Sequence, residues 1–271
     1  MTTTALVTDS TSYLPPGLAD ALGITVVPLH VVIDGRDHAE PDLDPHEFYR
    51  LLREGGPAPT TSQPPPGVFL AAFEATGADR VLCLTATASI SGTHQSAVLA
   101  AGMASLPVDV VDSGTISGGL CLLVLEVARS LQAGASHEEL LALAIALAGR
   151  VSSTWSSDTH TLLAAGGRFA EDVPDGVPVL ALDRGGVRVL GSAHSTDEAI
   201  ALQADVIRAA LAASPSHVTV GHGDVPELAD ALELALVGAD GLLGLDRYVV
   251  GPVVGAHAGA GNVGASYLRS A

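Results

Sequence analysis

Ser91 and its neighbours have the residue types and spacing best suited to binding an anion. The segment Ser89-Ile-Ser91-Gly-Thr93 follows a predicted strand over Val81–Thr85 and opens an alanine-rich stretch, Gly92–Ala104, that is predicted to be a helix. We expect Ser91 to be the N-cap of that helix, with the free N–H groups of the next two residues at its start. Helix N-termini combine free donors with positive potential and so bind carboxylates and phosphates readily. An ordinary capped helix start is the alternative interpretation.

Hydroxyl groups and histidines at other predicted element ends could join such a site. Thr61 and Ser62 lie near the end of the proline- and glycine-rich loop Gly55–Gly67, just ahead of another predicted helix. His222 and His257 each follow an apolar run and have glycine nearby. Both are therefore predicted at the carboxyl ends of strands, where α/β sheets bind ligands. Loop capping is the alternative for each of these residues.

A serine hydrolase is the enzymatic alternative for the same set of residues. Ser91 would be the nucleophile, and His257 or His222 would be the base. Asp9 or Asp112, each at the end of a predicted strand, would orient that base. However, the sequence has no Gly-x-Ser-x-Gly elbow, and a helix N-cap is a poor setting for a strained, exposed nucleophile. We therefore expect no catalytic residue.

Composition argues against several other kinds of site. The chain has no lysine, which removes Schiff-base chemistry and the lysine of a P-loop. Its net charge of −18 opposes binding to nucleic acid. The histidines form no HExxH or comparable cluster, and Cys83 and Cys121 lie in apolar runs typical of buried thiols, so we expect neither a metal nor a disulfide.

The segment Gly259-Ala-Gly-Asn-Val-Gly264 has the spacing of a dinucleotide-binding fingerprint. That fingerprint binds pyrophosphate only between a first strand and the helix that follows it. Only seven residues of the sequence follow Gly264, which is too few for such a helix. We therefore predict a tight glycine loop beside a site, and we expect no nucleotide cofactor.

Alternating β-type and helical patterns predict an α/β fold with two lobes, residues 1–150 and residues 151–271. Strands are predicted over Ala5–Thr8, Ile24–Val32, Val81–Thr85 and Val108–Val111, with helical patterns between them that include Pro45–Arg53 and Pro66–Thr76. This alternation favours a mostly parallel sheet with helices on both faces. The second lobe is predicted to contain a hairpin, Val177–Leu182 with Val187–Gly191. Further α/β alternation follows, with helical patterns over Thr196–Ala213 and Pro226–Leu236 and a strand over Tyr248–Val254.

The hydropathy pattern predicts a cytoplasmic protein without a membrane span. Mean hydropathy is high at +0.40, but charged or turn-forming residues interrupt every apolar run before the roughly 20 residues that a span requires. The segment Met1–Val7 lacks the basic stretch and the long apolar core of a secretory signal.

A series of short motifs occurs in order between about residue 5 and residue 264. They are Val7-Thr-Asp-Ser-Thr11, Val27-Pro-Leu29, Thr61-Ser-Gln-Pro64, Ser91-Gly-Thr93 with Gln95-Ser-Ala97, Val111-Asp-Ser113, Gly166-Gly-Arg168 and Gly255-Ala-His257-Ala-Gly-Ala-Gly261. Together they resemble the motifs of the DegV family of fatty-acid-binding proteins. The chain departs from that pattern after Arg168, where the segment is shorter and acidic, and at Ala260, where proline is usual.

The resemblance implies a two-lobed α/β protein that buries a long-chain fatty acid and performs no chemistry of its own. The carboxylate would lie at the Ser-Gly-Thr helix start, hydrogen-bonded by Ser91 and Thr61, with His257 in the same network. The implied ligand-binding residues are Thr61, Ser62, Ser91, Gly92, Thr93 and His257. The resemblance also implies a partner, a separate fatty acid kinase that makes an acyl phosphate, with Arg168 as the partner-binding residue.

Overall fold

Strands and helices alternate along the part of the chain that the computed structural model describes, which is residues 2–55, 58–157, 175–183 and 186–269. The strands are β1 Thr4–Asp9, β2 Ile24–Val27, β3 His30–Ile33, β4 Arg36–Ala39, β5 Thr60–Ser62, β6 Arg80–Thr85, β7 Val108–Asp112, β8 Val151–Ser156, β9 Val177–Asp183, β10 Gly186–Ala193, β11 Ser216–His222, β12 Leu242–Val249 and β13 Val263–Leu268. The helices are α1 Leu18–Leu22, α2 Pro45–Glu54, α3 Pro66–Ala75, α4 Thr93–Ala101, α5 Gly118–Gln132, α6 His137–Ala148, α7 Thr196–Ala213, α8 Pro226–Leu236 and α9 Pro252–Ala258. The predicted α/β fold is confirmed.

The first sheet is parallel throughout, in the strand order β2-β1-β6-β7. Successive residues of its central strands are buried on opposite faces, because side chains alternate along a strand. In β6, Val81 and Cys83 pack in a cluster with α3 and α4, whereas Leu82 and Leu84 pack in a cluster with α5 and α6. The prediction of a parallel sheet covered on both faces is therefore confirmed.

The second sheet is mixed, with six strands in the order β10-β9-β8-β13-β11-β12. Helices α7 and α8 cover one of its faces through an aliphatic cluster that includes Ile207, Val220 and Leu232. Strands β9 and β10 form the predicted hairpin. The opposite face of this sheet contacts α5 through β8, β11 and β13.

A third, three-stranded sheet in the order β4-β3-β5 joins the two halves of the chain. It packs with α2 and α9 through Leu29, Val31, Phe48 and Val253. The lobe boundary near residue 150 stays a prediction. The parallel sheet uses strands between residues 4 and 112, and the mixed sheet uses strands between residues 151 and 268.

Two strand predictions are wrong, and a proline explains each of them. The single strand predicted over Ile24–Val32 is two strands in different sheets, because Pro28 has no N–H to continue a ladder. The strand predicted over Tyr248–Val254 ends at Val249, and Pro252 then begins α9, since proline is favoured in the first helical turn. His257 consequently lies in the last turn of a helix and not after a strand.

None of the helices in the described part of the chain is long and apolar enough to cross a membrane.

Candidate functional site

A cavity of about 520 Å³ lies between the carboxyl ends of the parallel strands and the face of the mixed sheet opposite α7 and α8. This is the position where α/β sheets place ligands, and the volume falls within the range of about 300–1,000 Å³ found for small-molecule sites. The cavity is lined by the loops after β6 and β7, by β5 and α9, and by strands of the mixed sheet. Of the predicted ligand residues, Thr61, Ser62, Ser91, Gly92 and His257 line it.

The start of α4 forms one wall of the cavity, but its capping differs from the prediction. The N-cap is Gly92, so Ser91 precedes the cap. The Thr93 N–H donates to Ser91 Oγ at 3.3 Å, and the two hydroxyl oxygens share a hydrogen bond of 2.9 Å. Thr93 itself is fully buried and does not line the cavity. Thr93 therefore orients the hydroxyl of Ser91, which is a cavity-lining residue.

Gln63 lines the cavity but is not among the predicted ligand-binding residues. Its side-chain amide lies against the Cα of Gly92, where a Cβ would come within 2.3 Å of Gln63 Oε1. Glycine at position 92 therefore makes room for this amide beside the first turn of α4. Ser62 and Gln63 are exposed although they line the cavity, which makes this polar end its mouth.

Thr61 and His257 meet at the same end of the cavity. Thr61 Oγ1 lies 2.8 Å from His257 Nε2, and the two residues are 196 positions apart in the chain. Strand β5 positions Thr61 by pairing it with Val31, and α9 presents His257 from its last turn. The structure brings these two side chains together, but it places His257 in a helix and not after a strand.

The start of α9 is held by a buried acid that the sequence did not single out. Glu40 accepts a hydrogen bond from the Val253 N–H at 2.8 Å and one from the Tyr13 hydroxyl at 2.9 Å. Tyr13 in turn accepts from the Val254 N–H at 3.2 Å. Burial raises the pKa of Glu40, and hydrogen bonds from Ser10 and Val253 oppose that rise. Because α9 spans only seven residues, this capping also fixes the position of its histidine.

A second group of hydroxyls lines the cavity at the start of α5. Ser117 Oγ lies 2.7 Å from the Tyr248 hydroxyl, which also accepts from the Gly118 N–H at 2.9 Å. Ser117 has φ 61° and ψ −137°, a backbone conformation that costs a non-glycine residue about 1–3 kcal/mol. Burial raises the pKa of Tyr248 to about 12, so its phenol keeps its proton at neutral pH.

The cavity-lining face of the mixed sheet changes from polar to apolar across its strands. Ser266 on β13 and Ser153 on β8 are direct neighbours, with their hydroxyl oxygens 2.8 Å apart. Farther along, Trp155, Leu182 and Val187 line the cavity toward the β9–β10 edge. The cavity thus combines hydrogen-bonding groups with an apolar wall that could accept a hydrocarbon chain.

The remaining candidates are used to hold loops. His222 Nδ1 accepts from the Val225 N–H, and burial lowers its pKa. Asp9 accepts from the N–H groups of Thr11 and Ala86, and Asp112 accepts from those of Ala88 and Gly114. Among the residues that the structure describes, His222, Asp9 and Asp112 do not line the cavity. These three residues are therefore not arranged with Ser91 as a triad.

The other predictions fall on more peripheral features. The glycine segment from 259 to 264 turns the chain from α9 into β13, with positive φ at Gly259 and Gly261. Cys83 and Cys121 are buried free thiols. Within the described residues, no group of three or more His, Cys, Asp or Glu side chains could hold a metal ion. Arg168 lies outside the described residues.

Comparison with known proteins gives the same family over nearly the whole chain. A family described as "Uncharacterised protein, DegV family" matches residues 3–270. A DegV domain-containing protein of Streptomyces coelicolor is 34% identical over 271 residues, covering 96% of both chains. One of Caldanaerobacter subterraneus is 33% identical over 266 residues, covering 94% of this chain and 95% of the relative.

Solved structures agree with this assignment. A DegV family protein from Thermus thermophilus, described for its fatty acid binding, has a TM-score of 0.89 at 32% identity, with both chains fully covered. DegV from Bacillus subtilis, described as a fatty acid binding protein, has a TM-score of 0.89 at 26% identity, again over both full chains. This chain belongs to the DegV family.

Proposed function

We propose that this protein binds a long-chain fatty acid in the cavity and does not transform it. The carboxylate lies at the mouth, within reach of Ser91, the first amides of α4 and the Thr61–His257 pair. The acyl chain extends along the mixed sheet toward Trp155 and Leu182. The observation that carries the proposal is a single cavity of about 520 Å³ with helix-start donors at one end and an apolar wall at the other.

The solved relatives support the same ligand class. The proteins from Thermus thermophilus and Bacillus subtilis are both described as binding fatty acids, and both match this chain over its full length. The four residues Thr61, Ser91, Gly92 and His257, proposed here to bind the carboxylate, line the cavity of this chain together.

Magnitudes indicate which part of the ligand supplies affinity. Burying about 14 methylenes at roughly 0.8 kcal/mol each contributes on the order of 11 kcal/mol before association and ordering costs. A hydrogen bond to a charged carboxylate contributes only about 1.5–3 kcal/mol. The acyl chain therefore provides most of the binding free energy, whereas the polar mouth sets the register of the ligand.

Acyl hydrolysis is the weaker candidate because the groups of a triad are engaged elsewhere. Ser91 shares its hydrogen bond with Thr93, and His257 is paired with Thr61. Asp9 accepts the Ala86 N–H, and Asp112 accepts the Gly114 N–H. Ser91 is proposed as a donor to the carboxylate and not as a nucleophile.

We also propose a role in presenting the fatty acid to a partner acyl kinase, which the exposed mouth of the cavity supports. Ser62, Gln63 and Gln95 are exposed while lining the cavity, so a carboxylate held there would remain reachable from solvent. Arg168 is the proposed partner-binding residue. Acyl phosphate should form only when such a kinase and ATP are added to the loaded protein, and Arg168→Ala should slow that reaction without loosening the fatty acid.

The direct test is to identify the lipid that the purified protein carries. Denaturing extraction followed by mass spectrometry should give about one acyl chain per protein molecule. After delipidation, titration with fatty acid should restore saturable binding that Ser91→Ala weakens and Ser89→Ala does not. Empty preparations that also fail to bind added fatty acid would overturn the proposal. Steady hydrolysis of acyl esters that disappears in Ser91→Ala would replace it with the hydrolase alternative.

A further inference from the structure

We propose that the cavity has a second polar subsite that binds a hydroxyl group along the acyl chain, so that its preferred ligand is a hydroxylated fatty acid. The subsite consists of Ser117, Tyr248, Ser153 and Ser266, which we call the hydroxyl row. All four residues line the cavity, and none belongs to the proposed carboxylate site. The inference rests on the proposed fatty-acid binding and narrows its ligand class.

Ser117 and Tyr248 provide the donor side of the subsite. The Gly118 N–H donates to the Tyr248 hydroxyl oxygen, so this bond uses neither of the two hydroxyl hydrogens of the pair. One of them bridges the 2.7 Å between the two oxygens. Whichever hydroxyl donates in that bridge, the other O–H has no acceptor among the described residues. Two hydroxyls with one bond between them thus keep one hydrogen for a ligand oxygen.

Ser153 and Ser266 provide the acceptor side. Their oxygens are 2.8 Å apart, and Ser153 Oγ lies 3.4 Å from Thr115 Oγ1. A hydroxyl oxygen has two lone pairs, so this pair retains lone pairs after making its own hydrogen bond. An alcohol on the ligand needs one donor and one acceptor, and the hydroxyl row supplies both.

The two pairs belong to one continuous surface. Thr219 on β11 is the register partner of Ser266 on β13. A Cβ on Gly118 would lie only 2.2 Å from the Thr219 hydroxyl oxygen, so the start of α5 packs against Thr219. Tyr248 is paired across the sheet with Gly221, which is paired in turn with Gly264. Gly221 makes room for the Tyr248 ring, since a Cβ there would lie 2.5 Å from the Tyr248 hydroxyl oxygen. The Ser117–Tyr248 pair thus lies beside β11, and β13 with Ser266 is the next strand, about 4.8 Å away, so both pairs can reach one group on a ligand.

A plain hydrocarbon chain does not match this surface. Methylenes against the hydroxyl row would bury a donor without an acceptor, which lowers affinity. A hydroxyl on the chain would satisfy that donor directly. Trp155, Leu182 and Val187, on β8, β9 and β10, remain available for the hydrocarbon beyond such a group.

The test compares octadecanoic acid with a series of monohydroxyoctadecanoic acids that differ in hydroxyl position. Each acid is titrated by calorimetry into delipidated wild type, Ser117→Ala, Tyr248→Phe and the control Ser89→Ala. At least one isomer should bind wild type and the control about two- to tenfold more tightly than octadecanoic acid. That preference should disappear in Ser117→Ala and Tyr248→Phe, whose affinity for octadecanoic acid should stay within about threefold of wild type or increase.

The outcomes separate this inference from the function on which it rests. If octadecanoic acid binds but no hydroxylated isomer binds better, the hydroxyl row is not a subsite and fatty-acid binding stands. A preference that persists in both variants would also overturn the inference, because another part of the cavity would then recognise the hydroxyl. If none of the acids binds, both proposals fail. Circular dichroism of each variant distinguishes a loss of preference from a loss of fold.

Discussion

Thr61 and His257 are joined by a hydrogen bond of 2.8 Å that links β5 of the first half of the chain to α9 of the second. Both residues line the cavity, as Ser91 does. Strand β5 is only three residues long and α9 only seven, so neither is a rigid element by itself. The pair therefore forms part of the proposed carboxylate site and also holds these two short elements together.

We first predict that the effects of Thr61→Val and His257→Phe on fatty-acid affinity are not additive. Each change removes one partner of the pair and should weaken binding about three- to thirtyfold. The double variant should lose less than the product of the two effects, because residues in one hydrogen-bond network couple. Calorimetric titration of the four proteins gives the coupling free energy directly. Fully multiplicative losses would mean that the two side chains act on the ligand independently.

Ser91→Ala is predicted to weaken binding by about ten- to a hundredfold while leaving the fold intact. The lost hydrogen bond to a charged carboxylate accounts for about 1.5–3 kcal/mol. The fold should tolerate the change because the N-cap is Gly92 and not Ser91. Ser89→Ala is the matched control, since Ser89 lies in the same loop but does not line the cavity. An equal loss of affinity in both variants would indicate a general loosening of this loop.

Much of the fold was predictable because the parallel sheet is buried on both faces. Strand β6 reads as a continuous apolar run, and the proline-led helices α2, α3 and α8 begin at the predicted residues. In these helices the apolar periodicity and the proline of the first turn indicate the same starting residue. The predicted bounds of α7, Thr196–Ala213, are the observed ones, because Ser195 caps its start and accepts from the Glu198 N–H.

The cavity-facing elements were harder to predict, and their composition explains why. Strands β8 and β13 were not predicted, because one face of each carries Ser or Gly to line the cavity and so weakens the usual strand pattern. Glu40 and Tyr248 gave no signal, since their roles depend on contacts with residues more than 100 positions away. Thr61 and His257 were found through motif resemblance, while their pairing required the fold.

Gly118→Ala is predicted to destabilise the protein, although alanine is normally the better helix former. A Cβ at this position would lie 2.2 Å from Thr219 Oγ1 and 2.8 Å from the Tyr248 hydroxyl. Overpacking of this kind costs about 1–3 kcal/mol, against a gain of about 0.5–1 kcal/mol in helix preference. Gly67→Ala in α3 is the matched control, because nothing lies within 4 Å of its Cβ position. Urea unfolding should show a lower free energy of unfolding for Gly118→Ala and an unchanged or higher one for Gly67→Ala.

His222 is predicted to make the folded state less stable as the pH falls below about 6.5, the ordinary pKa of histidine. Burial lowers its pKa in the folded protein, and the neutral Nδ1 accepts the Val225 N–H. The unfolded chain therefore binds the proton more readily, so this stabilisation is present above the ordinary pKa and is lost as the pH falls toward the folded value. The free energy of unfolding of wild type minus that of His222→Gln should decrease as the pH is lowered from 7.5 to 5. A difference that stays constant or increases would contradict the shift.

Trp155 should report ligand binding through its fluorescence, because it is the only tryptophan of the chain and lies on the cavity wall. In the delipidated protein its indole would face a solvent-filled space, whereas in the complex it would contact methylenes of the acyl chain. We predict a blue-shifted emission that saturates at about one equivalent of fatty acid. The midpoint should agree with calorimetry and move to higher concentration in Ser91→Ala. Trp155→Phe should abolish the signal and retain calorimetric binding, since phenylalanine keeps an apolar wall. Emission that stays unchanged at calorimetric saturation would place the acyl chain away from Trp155, outside the apolar end assigned to it.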